Sequence, residues 1–288
     1  MNKDIILGSF TNYDWDKIQY WVNSIDACGF TGDKGMIIYN CDIDTAKRLS
    51  ERGFKIMAFN QDPTTGNLFY NGQLVIVVER FLHLHSFLEG ILREEQYRYV
   101  IHTDVKDVVF QTNPSDWLTE NMLPQYDILA SCESLQYQHE PWGHENMRNS
   151  FPWVYDKMKV KPIWNCGVQA GRPQVMKDLW LNIYLLSIAS QAATKVHNPD
   201  QAAYNVLLNM APYSNITQFS MSEDAWACQA GTTIDPAKIY GFKPYLMEAQ
   251  PKWDGNFATT SFGKTHAILH QYDRIPEWKP TVESRYAD

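Results

Sequence analysis

Two hydrophobic periods alternate along the first hundred residues. Asp4 to Gly8 (DIILG) is a short apolar run that predicts a buried strand, followed by a polar loop from Ser9 to Asp14. From Asp14 to Cys28 the apolar positions are Trp15, Ile18, Trp21, Val22 and Ile25, the spacing of a helix. Gly35 to Tyr39 (GMIIY) predicts a second strand, Asp44 to Arg52 a short helix and Phe54 to Phe59 (FKIMAF) a third strand. Gly53 stands where a helix favours a left-handed residue just past its end. The β-α-β-α-β rhythm predicts an α/β fold: a mostly parallel central sheet flanked by helices.

The pattern continues with a polar insertion from Asp62 to Gly72, a surface loop or a short hairpin, and a long helix from Leu74 to Leu92. Strands are expected over Tyr99 to His102 and Asp127 to Ala130. Gln136 to Ser150 (QYQHEPWGHENMRNS) is polar and aromatic without periodicity, and reads as a functional loop or lid. Pro173 to Gln191 and Pro199 to Asn209 read as helices, and the final third, rich in Gly, Pro and Trp, is expected to wrap the site. With no repeat, low-complexity segment or linker in view, residues 1–288 read as a single Rossmann-like domain. It divides into halves of about 1–112 and about 113–288.

Composition narrows the function. The formal net charge is −8, from 33 acidic and 25 basic residues, and no basic run occurs. A nucleic-acid polymer is therefore excluded as the expected partner, since phosphate-backbone binding needs clustered Lys and Arg. Aromatics reach 14%, which serves either a large core or stacking faces for sugars and bases. The five cysteines are odd in number and form no CxxC pair, so neither a zinc site nor a disulfide framework is indicated. The N-terminal apolar run is too short for a signal peptide and no stretch approaches the ~20 apolar residues of a membrane helix. A soluble, cytoplasmic protein is the expectation. P-loop, GxSxG and HExxH motifs are absent.

The chemistry concentrates after the Tyr99 strand, in VIHTDVKDVVFQTNP. In open α/β sheets ligands bind beyond the carboxyl ends of the strands. Asp104 and Asp107 at that place can together hold one hard divalent cation, Mn²⁺ or Mg²⁺, which prefers oxygen ligands and keeps positions for substrate phosphates. An isolated DxxD is as readily a turn cap beside a solvated carboxylate. In an extended strand Asp104 would share a face with Lys106, not Asp107, so the chain must turn here. An ammonium ~5 Å from a divalent cation would be repelled by roughly 6–7 kcal/mol at an effective dielectric of about 20. Lys106 therefore either points away, which we expect, or replaces the metal.

This segment resembles the metal-binding DxD region of nucleotide-sugar glycosyltransferases with the GT-A fold, in a variant where two residues separate the aspartates. Three further segments fit in order: Trp164 to Gly171 (WNCGVQAG), Asn198 to Asn205 (NPDQAAYN) and Ala267 to Arg274 (AILHQYDR). The chain departs from the common motif in carrying Lys106 where the second aspartate stands, which leaves the division of labour between Asp104 and Asp107 open. The resemblance implies metal ligation by Asp104, Asp107 and His270, catalytic roles for Asp200 and Gln201, and close approach of the sugar to Asn165 and Gly167. It implies that the Ser9, Phe10, Thr11, Asn12 and Tyr13 loop holds the base and ribose, that the half at about 1–112 binds the nucleotide and that the half at about 113–288 serves acceptor and catalysis. Arg80, Lys264 and Arg274 are the candidate phosphate contacts, and Glu140, Trp142 and His144 the acceptor-side candidates. Asp200 also reads as a helix cap and Arg80 as an ion-pair partner of Glu79 or another surface acid.

The expected function is then metal-dependent transfer of a sugar from a nucleotide-sugar donor, in first place a UDP-sugar, to a hydroxyl of a glycan or glycoconjugate. The alternatives are a carbohydrate-binding protein on a decayed transferase fold and a sugar nucleotidyltransferase, although GSFTNYDW lacks the Gly-rich basic loop of the latter.

Overall fold

Period-two alternation in the opening strand feeds two layers at once: Ile5 and Leu7 join one hydrophobic cluster, Ile6 and Phe10 another. The computed structural model describes residues 3–190 and 198–288. Strand β1 (Lys3–Phe10) is followed by α1 (Trp15–Ala27), β2 (Asp33–Ile38), α2 (Ile43–Glu51) and β3 (Phe54–Met57), the rhythm that the sequence predicts. Asp14 caps α1 by accepting from Lys17 N, Asp42 caps α2 by accepting from Thr45 N, and Gly53 follows α2 at φ +80°. A two-residue hairpin, β4 (Asn60–Gln61) with β5 (Leu68–Phe69), stands in the polar insertion. Helix α3 (Ile76–Ile91) leads into β6 (Tyr97–Thr103), then β7 (Val108–Phe110), α4 (Pro114–Asn121) and β8 (Ile128–Gln136).

The remainder builds the other side of the sheet. It contains α5 (Pro141–Ser150), the single turn α6 (Tyr155–Met158), β9 (Pro162–Gly171), α7 (Pro173–Ile188), α8 (Asp200–Leu208) and β10 (Thr217–Ser220). The seven strands run in the order β10-β8-β9-β6-β1-β2-β3. Every neighbouring pair is parallel except the two that involve β9. The fold is thus α/β with a mostly parallel sheet, and the sheet draws strands from both halves of the chain. Four short strands follow: β11 (Ala227–Gln229), β12 (Lys252–Trp253), β13 (Ala258–Thr259) and β14 (Ile268–His270). β11 and β14 are parallel, and β14 pairs antiparallel with β7 in a small second sheet. Helices α3, α7 and α8 cover one face of the large sheet, while α1, α2 and α4 cover the other. Among the described residues no helix is long and apolar enough to cross a membrane.

Four expectations are corrected. β1 continues to Phe10, so Ser9 and Phe10 belong to the strand. β8 runs on to Gln136, well past Ala130. Residues 162–171, in which the sequence shows no strand, form the reversed and almost wholly buried β9. The 136–150 segment is a short 3₁₀ turn and a helix instead of a loop: Pro141 opens α5 and the Glu140 carboxylate accepts from Gly143 N at 2.5 Å. The buried face of α5 is Gly143, Asn146, Met147 and Ser150, which is helical spacing written in small and polar residues. Helix α7 ends at Ile188, and the expected end at Gln191 lies outside the described residues.

Candidate active site

The turn after β6 is tied at both ends. Asp104 N donates to Gly167 O on β9 at 2.8 Å, and Gln271 N, just past β14, donates to Asp107 O at 2.6 Å. Because β14 pairs with β7 in the register His270 to Val108, His270 is carried up beside the turn. Its Nε2 stands 3.7 Å from Asp104 Oδ2 and 3.7 Å from Asp107 Oδ1. One ligand atom from each of the three residues lies within 4.8 Å of the others. Lys106 is sent outward to Asp273, at 3.1 Å, with half of its side chain exposed. It does not face the cluster.

A second layer orients the histidine. Nδ1 is 2.7 Å from Gln229 Oε1, and Gln229 Nε2 donates to Ser131 Oγ at 2.7 Å. A carbonyl oxygen only accepts, so Nδ1 carries a proton, and in the neutral ring Nε2 presents a lone pair. That Nε2 is buried without a hydrogen-bond partner. A lone pair facing two carboxylates is repelled on both sides, and a cation turns all three contacts attractive. Ligands at right angles on an ion at ~2.1 Å would be about 3 Å apart, so small side-chain rotations bring these atoms to bonding distance. The donor set of two carboxylates and one imidazole suits Mn²⁺ or Mg²⁺. Gly167 keeps the space open, because a Cβ there would lie 2.5 Å from Asp104 Oδ2 and 2.9 Å from His270 Cε1.

The two aspartates differ in electrostatics. Burial pushes the Asp104 carboxyl up, but the charge and hydrogen bond of Arg80 outweigh it and hold it down at about 2. Asp107 is pushed up by burial and by the neighbouring Asp104 and Asp273 charges. Asp104 is a ready anion, whereas Asp107 is the carboxylate whose ionisation gains most from a bound cation.

The site opens into a cleft of about 420 Å³ that receives Asp104, His270, Asn165, Gly167, Asp200, Gln201, Arg80 and Arg274. A bulge in β9 shapes it: Cys132 and Ala130 of β8 pair with Trp164 and Gln169, so residues 165–168 lie out of register with β8, while Val168 keeps its pairing with Thr103 of β6. Asn165 fixes the bulge, donating from Nδ2 to Glu133 Oε1 at 2.7 Å and accepting from Gly167 N at 2.8 Å. Gln201, in the first turn of α8, accepts from Cys166 N at 3.2 Å. Arg80 reaches from α3 to Asp104 at 2.5 Å and Asp200 at 3.2 Å. Its expected partner Glu79 accepts instead from the Gln73 and Leu74 amides. Burial raises Asp200 to about 6 against the pull of Arg80.

The remaining sequence candidates fall in three places. Asn12 and Tyr13 line a separate groove of about 430 Å³ with Asn40, Asp42 and Asn67, and Thr11 Oγ1 accepts from Asn40 Nδ2 at 2.9 Å. Ser9 lies on β1, and Phe10 packs inward and stacks on Tyr13. Burial raises the Tyr13 hydroxyl, with Lys106, Asp107 and Asp104 close enough to act on it, so this loop borders the aspartate turn. Lys264 is carried away from His270 by the turn before β14 and lines a different groove with Trp117, Tyr126 and Asp224. Of the acceptor-side candidates, Trp142 and Glu140 line the cleft, although Glu140 is engaged in capping α5. His144 instead hydrogen-bonds Tyr155 at 3.0 Å.

Sequence reasoning missed Glu133. It lies inside β8, buried, and lines the cleft. Burial and then the Glu140 charge push its carboxyl up to about 7, against Asn165, Gln201 and Arg274. The available signal was one charged residue within the run ILASCESLQ.

No family model matches the chain, and no curated protein matches it in sequence. Among solved structures it is similar to the apo form of WbbM, a bifunctional glycosyltransferase, with a TM-score of 0.58 at 12% identity. The match covers 99% of this chain and 52% of WbbM, so the chain spans about half the length of that structure. At that identity the likeness is one of fold, and the fold of this chain is glycosyltransferase-like.

Proposed function

We propose that this chain is a divalent-cation-dependent glycosyltransferase that takes a nucleotide-sugar donor, a UDP-sugar in first place, and a glycan hydroxyl as acceptor. The observation that carries the reading is the unpartnered Nε2 of His270, aimed between Asp104 and Asp107 beyond the carboxyl end of the central strand. In this reading Asp104, Asp107 and His270 hold Mn²⁺ or Mg²⁺, whose chemistry is to neutralise charge developing on a departing diphosphate. The fold likeness to a glycosyltransferase supports the class.

The chain's own residues divide the remaining work. Arg274 lines the cleft and forms no ion pair among the described residues, which leaves its guanidinium for phosphate oxygens. The groove at Asn12, Tyr13, Asn40 and Asn67 offers side-chain amides and a half-buried ring to a base and ribose. Arg80 is committed to Asp104 and Asp200, so it acts on the donor by fixing those two carboxylates. Asp200 borders the reacting carbon and stabilises positive charge there, and Gln201 holds the Cys166–Gly167 backbone against the sugar. Lys264 has no part in this scheme.

Calorimetric titration of UDP with Mn²⁺ and then with EDTA tests the reading. Tight binding only with the metal is the expected result, and UDP-sugar hydrolysis should follow the same dependence. UDP binding that ignores both additions would overturn it. A sugar-binding protein without donor chemistry would take glycans and show no metal-linked UDP binding.

A further inference from the structure

The aspartate turn and the histidine occupy only part of the cleft. Its remaining wall includes Trp142 and Glu133. Trp142 stands in the first turn of α5 and is 53% exposed, whereas Trp21, Trp180 and Trp226 are wholly buried. Among the described residues its ring has no aromatic partner. The helix that carries it is fixed on the cleft: Asn146 Nδ2 donates to Asn198 O at 2.7 Å, and Glu140 caps its amino end. Exposing a large indole to water on a rigid element has no benefit to the fold, while an apolar ring face beside carboxylates suits the C–H face and hydroxyls of a sugar.

The charges around it favour one kind of sugar. Glu133 is 6% exposed, and among the described residues it forms no ion pair; its contacts are the amides of Asn165 and Gln201. Glu140 is the charge that most opposes its ionisation. Arg80 is already shared by Asp104 and Asp200. The cleft cations left without an ion pair are Lys238 and Arg274, and a donor diphosphate would engage them first. A second ligand in the same cleft therefore meets carboxyl oxygens, which accept from hydroxyls and repel anions.

We propose that Trp142 and Glu133 form an acceptor subsite for an uncharged pyranose and discriminate against anionic sugars such as uronates. The proposal rests on the transferase reading. It is tested by saturation-transfer NMR in the presence of UDP and Mn²⁺, with methyl glucoside, methyl galactoside and methyl mannoside as neutral probes and methyl glucuronide as the anionic one. At least one neutral probe should bind at least about tenfold more tightly than the glucuronide. Trp142→Ala should lose most of that binding while UDP affinity stays unchanged. Glu133→Gln should narrow the gap between neutral and anionic probes, a readout that a merely structural role would not move. Binding of no neutral probe, equal binding of the glucuronide, or undiminished binding in Trp142→Ala would each overturn the subsite. Failure of the transferase reading looks different: metal-linked UDP binding disappears while pyranoside binding and its Trp142 dependence remain.

Discussion

The two ends of strand β6 carry similar numbers of charged groups and treat them in opposite ways. At the amino end three carboxylates, Asp4, Asp33 and Glu95, each have a cation. Asp4 is bound by Arg98 through two contacts of 3.0 and 2.6 Å, Asp33 by Lys3 and Lys55, and Glu95 by the same two lysines. The surrounding positive charge and the Tyr97 hydroxyl overcome burial and hold Asp33 down at about 2. At the carboxyl end, Asp107 and Glu133 are both pushed up, and among the described residues Arg80 is the one arginine or lysine lining the cleft that is ion-paired to its carboxylates. Balanced charge closes the bottom of the sheet. Unbalanced charge at the top is what the proposed cation and donor would complete.

The strongest way to break the contrast is Asp107→Asn. It removes one ligand and also one poorly compensated carboxylate. Metal-linked UDP affinity should fall by more than about 100-fold, since even residues behind a metal ligand are worth roughly 10–100-fold. Thermal stability of the cation-free protein should hold or rise. Calorimetric titration and a melting curve on the same sample check both signs, and a large loss of stability would mean that Asp107 has a structural role instead.

Arg98→Ala makes the converse break. It leaves Asp4, whose side chain is 1% exposed, without its cation. The expected loss is about 3 kcal/mol, the low end for removing one partner of a buried pair, because Arg98 is partly solvated. Urea unfolding measures it, and UDP affinity with Mn²⁺ should not change. Gln229→Leu sharpens the comparison by a smaller step. It deprives His270 Nδ1 of its acceptor, which frees the tautomer and ring orientation, and metal affinity should drop roughly 10–100-fold. Unchanged affinity would show that the β7–β14 register alone positions the imidazole.

How far the sequence disclosed each end follows from the same physics. β1, α1, β2, α2 and β3 are legible because alternation and helical spacing are written there in large apolar residues such as Ile6, Trp21 and Leu49. β9 is not legible, since PIWNCGVQAG is buried on both faces and its bulge at residues 165–168 breaks the alternation. α5 hides its inward face behind Gly143, Asn146 and Ser150. At the site, the aspartates and His270 stand out as chemically unusual residues after apolar strands. Their convergence does not, because it depends on a three-residue pairing between strands about 160 positions apart. Lys264 shows the same limit: nearness to His270 in sequence says nothing of the turn at Gly263 that carries it to another groove.

The smallest expected effect separates the ends by pH alone. Glu133 sits at about 7 because burial and Glu140 oppose its ionisation, with Arg274, Asn165 and Gln201 opposing that rise only in part. A carboxyl raised on folding is no burden below its unfolded value near 4 and destabilises the fold progressively as pH climbs through about 7. Asp33, lowered to about 2, gives the other sign: its contribution is complete above its unfolded value and is lost as pH falls through about 2. Relative to Glu133→Gln, the cation-free protein should therefore lose melting temperature between pH 5 and pH 8, by on the order of a few degrees. Glu133→Gln should flatten that slope without altering the acid limb, while Asp33→Asn should soften the acid limb and leave the neutral slope as it is. If both substitutions moved the same limb, the opposition between the two ends of β6 would fall. If each moves its own, the strained carboxyl at Glu133 is a property of the cleft and not of the chain's general acidity.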